Sequence, residues 1–188
     1  MTPAAPARPA RLAADVARPL ALSDEAKGLL APAATARQFF DALVGAALPE
    51  DAIRFLAAAL PKREAVWWGL SCVKDRIPKP APAPAAALAA AERWVKDPSE
   101  ANRRAAGDAA PLAGYGTPAG CLAAGAFWSG GSLAPPNLPP VPPRDDLTGQ
   151  AVAGALLLSA VADPPTAAAA RQQFLALGAD LAAGKVRV

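Results

Sequence analysis

Proline divides this chain into short alanine-rich stretches, and that division limits the fold more than any other feature. The chain has 22 prolines in 188 residues, and 53% of its residues are hydrophobic although only 5% are aromatic. Alanine favours the helix strongly and buries little area per residue. No stretch alternates apolar and polar residues as a half-buried strand does. The sequence therefore predicts an all-α fold whose core depends on close helix packing around a few large side chains.

The prolines also mark where predicted helices begin. Pro49 and Pro61 each follow a leucine and open a helix, in whose first turn the missing N–H of proline costs no hydrogen bond. The strongest local signal is the Asp-Pro-Ser-Glu sequence at 97–100, where Asp97 can cap a helix and Glu100 can reach back to the cap's backbone N–H. We count about eight helices and expect an irregular multi-helical bundle of antiparallel hairpins, since the connections are short.

Proline-rich segments further divide the chain into regions. Residues 1–21 are rich in Pro and Ala and are expected to form a disordered tail. Residues 78–84 predict an extended linker between an N-terminal helical subdomain at 22–77 and a C-terminal one at 85–188. The second subdomain contains a predicted proline-rich loop at 134–145.

Residues that carry chemistry are scarce. The chain has no histidine, which removes the commonest general base and metal ligand. Its two cysteines, Cys72 and Cys121, lie in apolar helical stretches and are too few for a disulfide framework or a zinc site. Asp145 and Asp146 are adjacent at a loop–helix boundary, where capping accounts for them. We therefore predict no catalytic residue, no cofactor and no metal, and hence no enzyme.

Charge and hydropathy indicate which surroundings to expect. The net charge of +3 is mild, and the adjacent Arg103 and Arg104, beside Glu100 and Asp108, predict a solvated helix face. Without a basic patch we expect no nucleic-acid partner. The longest apolar run, at 151–162, is shorter than the roughly 20 residues of a membrane span. The N-terminus lacks the apolar centre of a signal peptide, so we expect a soluble cytoplasmic protein without a membrane span.

Two adjacent tryptophans form the first candidate surface for a protein partner. In the helix predicted at 61–77, the large aliphatic residues share one face, Trp67 lies about a right angle away, and Trp68 lies nearly opposite. A helix that is apolar on opposite sides is usually central, so Trp68 could pack in the core. Because tryptophan is enriched at binding hot spots, Trp67 and Trp68 could instead contact a partner.

The second candidate surface follows the helix predicted to begin at Pro118. Its glycines could form a backbone nest for an anion, but the segment lacks the lysine of a phosphate loop and follows no strand. A helix terminator and turn also accounts for it. The bulky aromatic pair at its start makes the segment a candidate partner-binding region. Its candidate residues are Phe127, Trp128, Ser129, Gly130, Gly131 and Ser132.

Three stretches resemble a known family. They are ALPEDAIRFLAAALPKREAVWW, AERWVKDPSEANRRAAGDAA and TPAGCLAAGAFWSGGSLAPP, and the likeness covers most of Ser23 to Val188. Together they resemble an uncharacterised bacterial, all-helical domain family of unknown function, whose genes are associated with type VI secretion neighbourhoods. The alanine-rich helices with tryptophan are also similar to helical immunity proteins that neutralise secreted toxins. Neither family supplies catalytic residues.

Three hypotheses about function follow. The first is a non-enzymatic helical protein–protein interaction module, an accessory or adaptor protein of a type VI-like secretion system. It would present Trp67 and Trp68, or residues 127–136, to a protein partner. The second is an immunity protein that occludes a toxin. The third is a small enzyme with an unrecognised site, which would need a pocket that gathers Glu64, Asp75, Arg104 or Tyr115.

Overall fold

The computed structural model describes residues 12–188, and its regular secondary structure in that range is helical throughout. An isolated β-bridge joins Leu12 and Thr35, and a short 3-10 turn, Pro164–Thr166, precedes the last helix. The predicted all-α multi-helical fold is confirmed, with ten α-helices in the described range in place of about eight. The helices are α1 (Ala13–Ala17), α2 (Asp24–Gly28), α3 (Ala36–Gly45), α4 (Pro49–Ala59), α5 (Lys62–Arg76), α6 (Pro82–Lys96), α7 (Glu100–Ala113), α8 (Pro118–Phe127), α9 (Leu147–Ala160) and α10 (Ala167–Ala182).

Helix α9 lies in the middle of the core and packs against α4, α5, α8 and α10. Small residues let its neighbours approach closely, since a Cβ on Gly149 would lie 2.8 Å from the Cα of Ala58 in α4. On another side, the buried Thr148 hydroxyl donates a hydrogen bond to the carbonyl of Gly125 in α8, with 3.1 Å between the oxygens. Close helix packing of this kind is what an alanine-rich core requires.

Helix α5 is packed on opposite sides, as its sequence indicates. The indole Nε1 of Trp68 donates to the carbonyl of Phe174 in α10 at 2.9 Å. A Cβ on Gly178 of α10 would lie 2.8 Å from the same indole ring. On another side of α5, a Cβ on Gly69 would overlap Leu122 of α8. Because α8, α9 and α10 all contact α5, the apolar residues around the middle of this helix are buried on more than one side.

The disordered tail predicted at 1–21 is too long. Residues 1–11 lie outside the described range, but α1 lies within the predicted tail, and Ala13 and Val16 are buried. The N–H of Ala13 donates to the carbonyl of Ala34 at 2.9 Å, which holds this segment beside the start of α3. The burial of Ala13 and Val16 thus stabilises a short helix, although proline is frequent in this part of the sequence.

The linker predicted at 78–84 is also too long, because α6 begins at Pro82. Pro82 and Pro84 both lie in the first turn of α6, where backbone N–H groups have no partner within the helix. Proline therefore starts this helix instead of preventing it. Buried residues from both sides of the linker belong to one apolar cluster. The division into two subdomains stays a prediction.

No single helix between residues 12 and 188 has the length and apolar character to cross a membrane. By length and composition alone, the bent pair Leu147–Ala160 and Pro164–Ala182 passes such a test, with an angle of 113° between its two parts.

Candidate functional site

The structure separates the two adjacent tryptophans of α5. Trp68 is 0% exposed, because α10 covers it, so its interpretation as a partner contact is wrong and its interpretation as a core residue is correct. Trp67 is only partly buried and lines a surface cavity of about 290 Å³ between α5, α6 and the C-terminal residues. We call it the Trp67 cavity. Of the pair, only Trp67 is therefore available to a partner.

Cations dominate the lining of the Trp67 cavity. Its one acidic side chain, Glu92 of α6, forms ion pairs with both Lys74 and Lys96. A hydrogen bond from Lys74 is the main reason that the pKa of Glu92 is lowered. The Nε of Arg63 donates to the backbone carbonyl of Val95 at 2.6 Å. The four cationic lining residues are Arg63, Lys74, Lys96 and Arg187.

The segment from Phe127 to Ser132 is held by the first turn of α7. Arg103, which is only 3% exposed, donates from Nη1 to the carbonyl of Phe127 at 2.6 Å and from Nη2 to that of Ser132 at 2.9 Å. Its Nε and Nη2 also bind the carboxylate of Glu100, at 2.6 and 2.7 Å. The solvated helix face predicted for this part of α7 is thus wrong for Arg103, because the returning chain covers it.

Arg104 completes this arrangement, and we call Glu100, Arg103 and Arg104 the arginine clamp. Arg104 donates from Nε to Glu100 at 2.7 Å and from Nη1 to the carbonyl of Ala134 at 3.1 Å. Hydrogen bonds, from Arg103 above all, lower the pKa of Glu100 to about 2, so this carboxylate is charged at neutral pH. The clamp thereby fixes the chain from Phe127 to Ala134 against α7.

Two glycines make room for the clamp. The guanidinium carbon of Arg103 lies 4.7 Å from the centre of the Phe127 ring, and a Cβ on Gly107 would lie 2.7 Å from that ring. Gly131 has a φ of +63°, and a Cβ there would lie 2.9 Å from the Nε of Arg103. The segment turns carbonyls inward toward a cation, which favours the helix terminator over the anion nest. Ser129 and Gly130 lie partly exposed outside these contacts.

The loop that follows is closed at its base. The N–H of Leu133 donates to the carbonyl of Val141 at 2.8 Å, and the N–H of Val141 donates to the hydroxyl of Ser132 at 3.0 Å. No helix lies between Phe127 and Leu147. The proline-rich residues between Ala134 and Val141 thus form an exposed loop whose two ends meet.

Within the clamped segment, Trp128 stacks on Tyr115. The two ring centres are 6.3 Å apart and the ring planes differ by 9°. Tyr115 is 57% exposed, and Leu112, in the last turn of α7, is 77% exposed. We call Leu112, Tyr115 and Trp128 the aromatic surface. The sequence pattern points to Trp128 but not to Leu112 or Tyr115 as partner contacts, although Gly114 and Gly116 on either side of Tyr115 indicate an exposed turn.

The four residues that the enzyme hypothesis would gather in one pocket lie in different places. Glu64 lines an apolar groove of about 400 Å³ with Phe40 and Leu56, whereas Arg104 belongs to the clamp and Tyr115 stacks on Trp128. Asp75 lies exposed near the end of α5.

The cysteines and acids offer no metal site in the described range. Burial raises the pKa of Cys72 to about 12 and also raises that of Cys121, so both thiols are protonated at neutral pH. Within residues 12–188, no group of three or more His, Cys, Asp or Glu could hold a metal ion.

A family model, described as a family of unknown function (DUF6931), matches residues 39–182. That range begins inside α3 and ends with α10, and it contains the arginine clamp, the aromatic surface and most of the Trp67 cavity. The comparison with curated proteins found no match, and neither did the comparison with solved structures.

Proposed function

The chain belongs to this family of unknown function, and from that premise we propose that it is a non-enzymatic helical protein–protein interaction module. The aromatic surface is the docking site in this proposal, and the partner is a protein with an apolar surface of its own. The resemblance to proteins from type VI secretion neighbourhoods suggests the setting, in which the chain acts as an accessory or adaptor protein of such a system.

The observation that carries the proposal is the stack of the exposed Tyr115 on the partly exposed Trp128, with Leu112 exposed three residues before Tyr115. Tyrosine and tryptophan supply large contact areas with few rotatable bonds, which is why they are enriched where proteins bind each other. An aliphatic side chain as exposed as Leu112 gains free energy if a partner removes it from water. These three residues thus offer aromatic and aliphatic contact area to a partner.

The arginine clamp supports the same conclusion by fixing the backbone below Trp128. Arg103 holds the carbonyl of Phe127, the residue directly before Trp128, and the Sγ of Cys121 donates to the carbonyl of Tyr115 at 3.1 Å. Groups that are ordered before binding lose less entropy when a partner binds. Both aromatic residues are therefore anchored in the free protein.

Affinity capture with the full chain as bait tests the proposal. Leu112→Ser with Tyr115→Ser removes apolar contact area from the aromatic surface. Leu29→Ser with Val161→Ser removes exposed apolar side chains from elsewhere and is the matched control. We expect a host protein that the wild-type and control baits retain and that the first variant loses. With that protein purified, the dissociation constant should rise at least about tenfold in the first variant, which corresponds to about 1.4 kcal/mol.

The identity of the captured protein decides between the settings. A subunit of a secretion apparatus would support the adaptor role. A toxin that this chain neutralises would indicate an immunity protein instead. If every captured protein binds the first variant as well as it binds the control, the aromatic surface is not the docking site and the proposal fails.

A further inference from the structure

We propose that the Trp67 cavity binds an acidic segment of a protein partner, at a second site separate from the aromatic surface. The ligand class is a peptide that places a carboxylate beside an apolar side chain. This site shares no residue with the aromatic surface, so either can be correct without the other.

Charge is the first argument. Four cationic side chains line the cavity against one acidic side chain, Glu92, and the main-chain carboxylate of Val188, which leaves an excess of two positive charges. Glu92 is shared between Lys74 and Lys96. Arg63 donates its Nε to a carbonyl, and Arg187 forms no ion pair with the described residues. The site therefore carries more positive than negative charge.

The walls of the cavity are the second argument. Trp67 and Leu70 present apolar surface to the same space that the cations surround. A tryptophan that is partly buried in its own chain is a rigid wall for an incoming side chain. The volume of about 290 Å³ lies at the lower limit for small-molecule pockets, which suits one or two side chains of a peptide.

The distribution of the other cations favours a peptide over a nucleic acid. Elsewhere on the surface, many basic residues pair with nearby acids, as Arg18 does with Asp15 and Arg37 does with Asp41. Nucleic-acid binding needs a basic stripe along which phosphates can follow one another. Arg63 and Arg187, neither of which forms an ion pair with the described residues, meet at one cavity beside Trp67, so a single carboxylate group with its neighbours is the better match.

Fluorescence anisotropy with a defined probe tests this site. The probe is a short fluorescein-labelled peptide of alternating Glu and Leu, and the same peptide with Gln for Glu is its control. The wild-type chain should bind the first peptide, lose affinity as salt is raised, and bind the second peptide at least about tenfold more weakly.

Two variants of equal charge locate the binding. Lys96→Gln with Arg187→Gln removes two cations from the cavity, and Arg18→Gln with Lys27→Gln removes two exposed cations from α2 and the end of α1. We expect at least about a tenfold loss of affinity for the first variant and less than about a twofold loss for the second.

Three outcomes would overturn the proposal. They are equal losses in the two variants, equal binding of the Glu and Gln peptides, and displacement of the Glu peptide by single-stranded DNA at the same concentration as unlabelled Glu peptide. The variant Leu112→Ser with Tyr115→Ser should bind the Glu peptide as the wild type does. Its behaviour separates a failure here from a failure of the aromatic surface.

Discussion

At the scale of single residues, Arg103 shows how one side chain connects distant parts of this chain. It binds a carboxylate three residues before it and the carbonyls of Phe127 and Ser132, 24 and 29 residues after it. Its guanidinium is planar and has five donors, so one group can serve all three acceptors. Lysine could not reproduce this geometry, because its ammonium group acts from one point.

Arg103→Met should destabilise the fold by about 2–4 kcal/mol, because it leaves carbonyls without donors and Glu100 without its main partner. Arg104→Met removes the same charge from the next residue, but Arg104 is more exposed, so the loss there should be about 1 kcal/mol or less. Urea unfolding at neutral pH measures both. Equal losses would mean that the burial of Arg103 has no energetic importance.

The clamp also marks a limit of prediction from sequence. The residues at 97–100 correctly indicate a helix start, but Ser99 caps α7 by accepting from the N–H of Asn102, in place of Asp97. Glu100 binds Arg103 and Arg104 and does not reach back to the cap. Local spacing identifies a group that can cap. It does not reveal that Arg103 competes for Glu100, since this arginine is buried only when a loop distant in sequence returns.

At the scale of helices, α9 depends on one glycine for its position. A Cβ on Gly149 would meet the backbone of Ala58, and backbone cannot rotate away as a side chain can. Gly154, in the same helix, has only the Sγ of Cys121 near its Cβ position, at an ordinary distance of 3.8 Å. The two glycines thus share a helix but differ in what surrounds them.

Gly149→Ala should destabilise the protein by about 1–3 kcal/mol, because α4 and α9 must separate. Gly154→Ala should stabilise it by about 0.5–1 kcal/mol, because alanine is the better helix former and its methyl group has room. Thermal and urea unfolding of the two variants give the sign directly. A loss of stability in Gly154→Ala similar to that in Gly149→Ala would contradict this account of α9.

Helix starts in this chain are largely predictable, because Pro49 and Pro61 mark them with local chemistry. Proline is harder to interpret when several lie close together, and the start of α6 at Pro82 was hidden in this way. Helix α1 is short, and its stability comes from burial of Val16 and its neighbours, which no local pattern records. The aromatic surface could not be predicted from a local pattern either. Its stack joins Tyr115, just before α8, to Trp128, just after it.

At the scale of the whole molecule, α5 packs against α8 and α9 across the boundary between the two predicted subdomains. The buried residues on both sides of that boundary form one apolar cluster. Contacts of this extent make the two parts depend on each other for stability.

We therefore expect the chain to unfold in one cooperative step. Urea transitions followed by far-ultraviolet circular dichroism and by tryptophan fluorescence should coincide. Ile53→Val, at a fully buried position in α4, should shift both transitions together by about 0.5–1.5 kcal/mol. Two separate transitions, of which Ile53→Val moves only one, would support independent subdomains instead.

The closed base of the proline-rich loop has a consequence for how this molecule can vary. The bonds that join Leu133 and Ser132 to Val141 hold the two ends together whatever lies between them. Doubling the length of such a loop adds only about 0.6 kcal/mol to its closure. The tip of the loop is therefore where extra sequence can be accommodated with the helices unchanged, and where an inserted epitope or fluorescent label would report on the protein without entering its core.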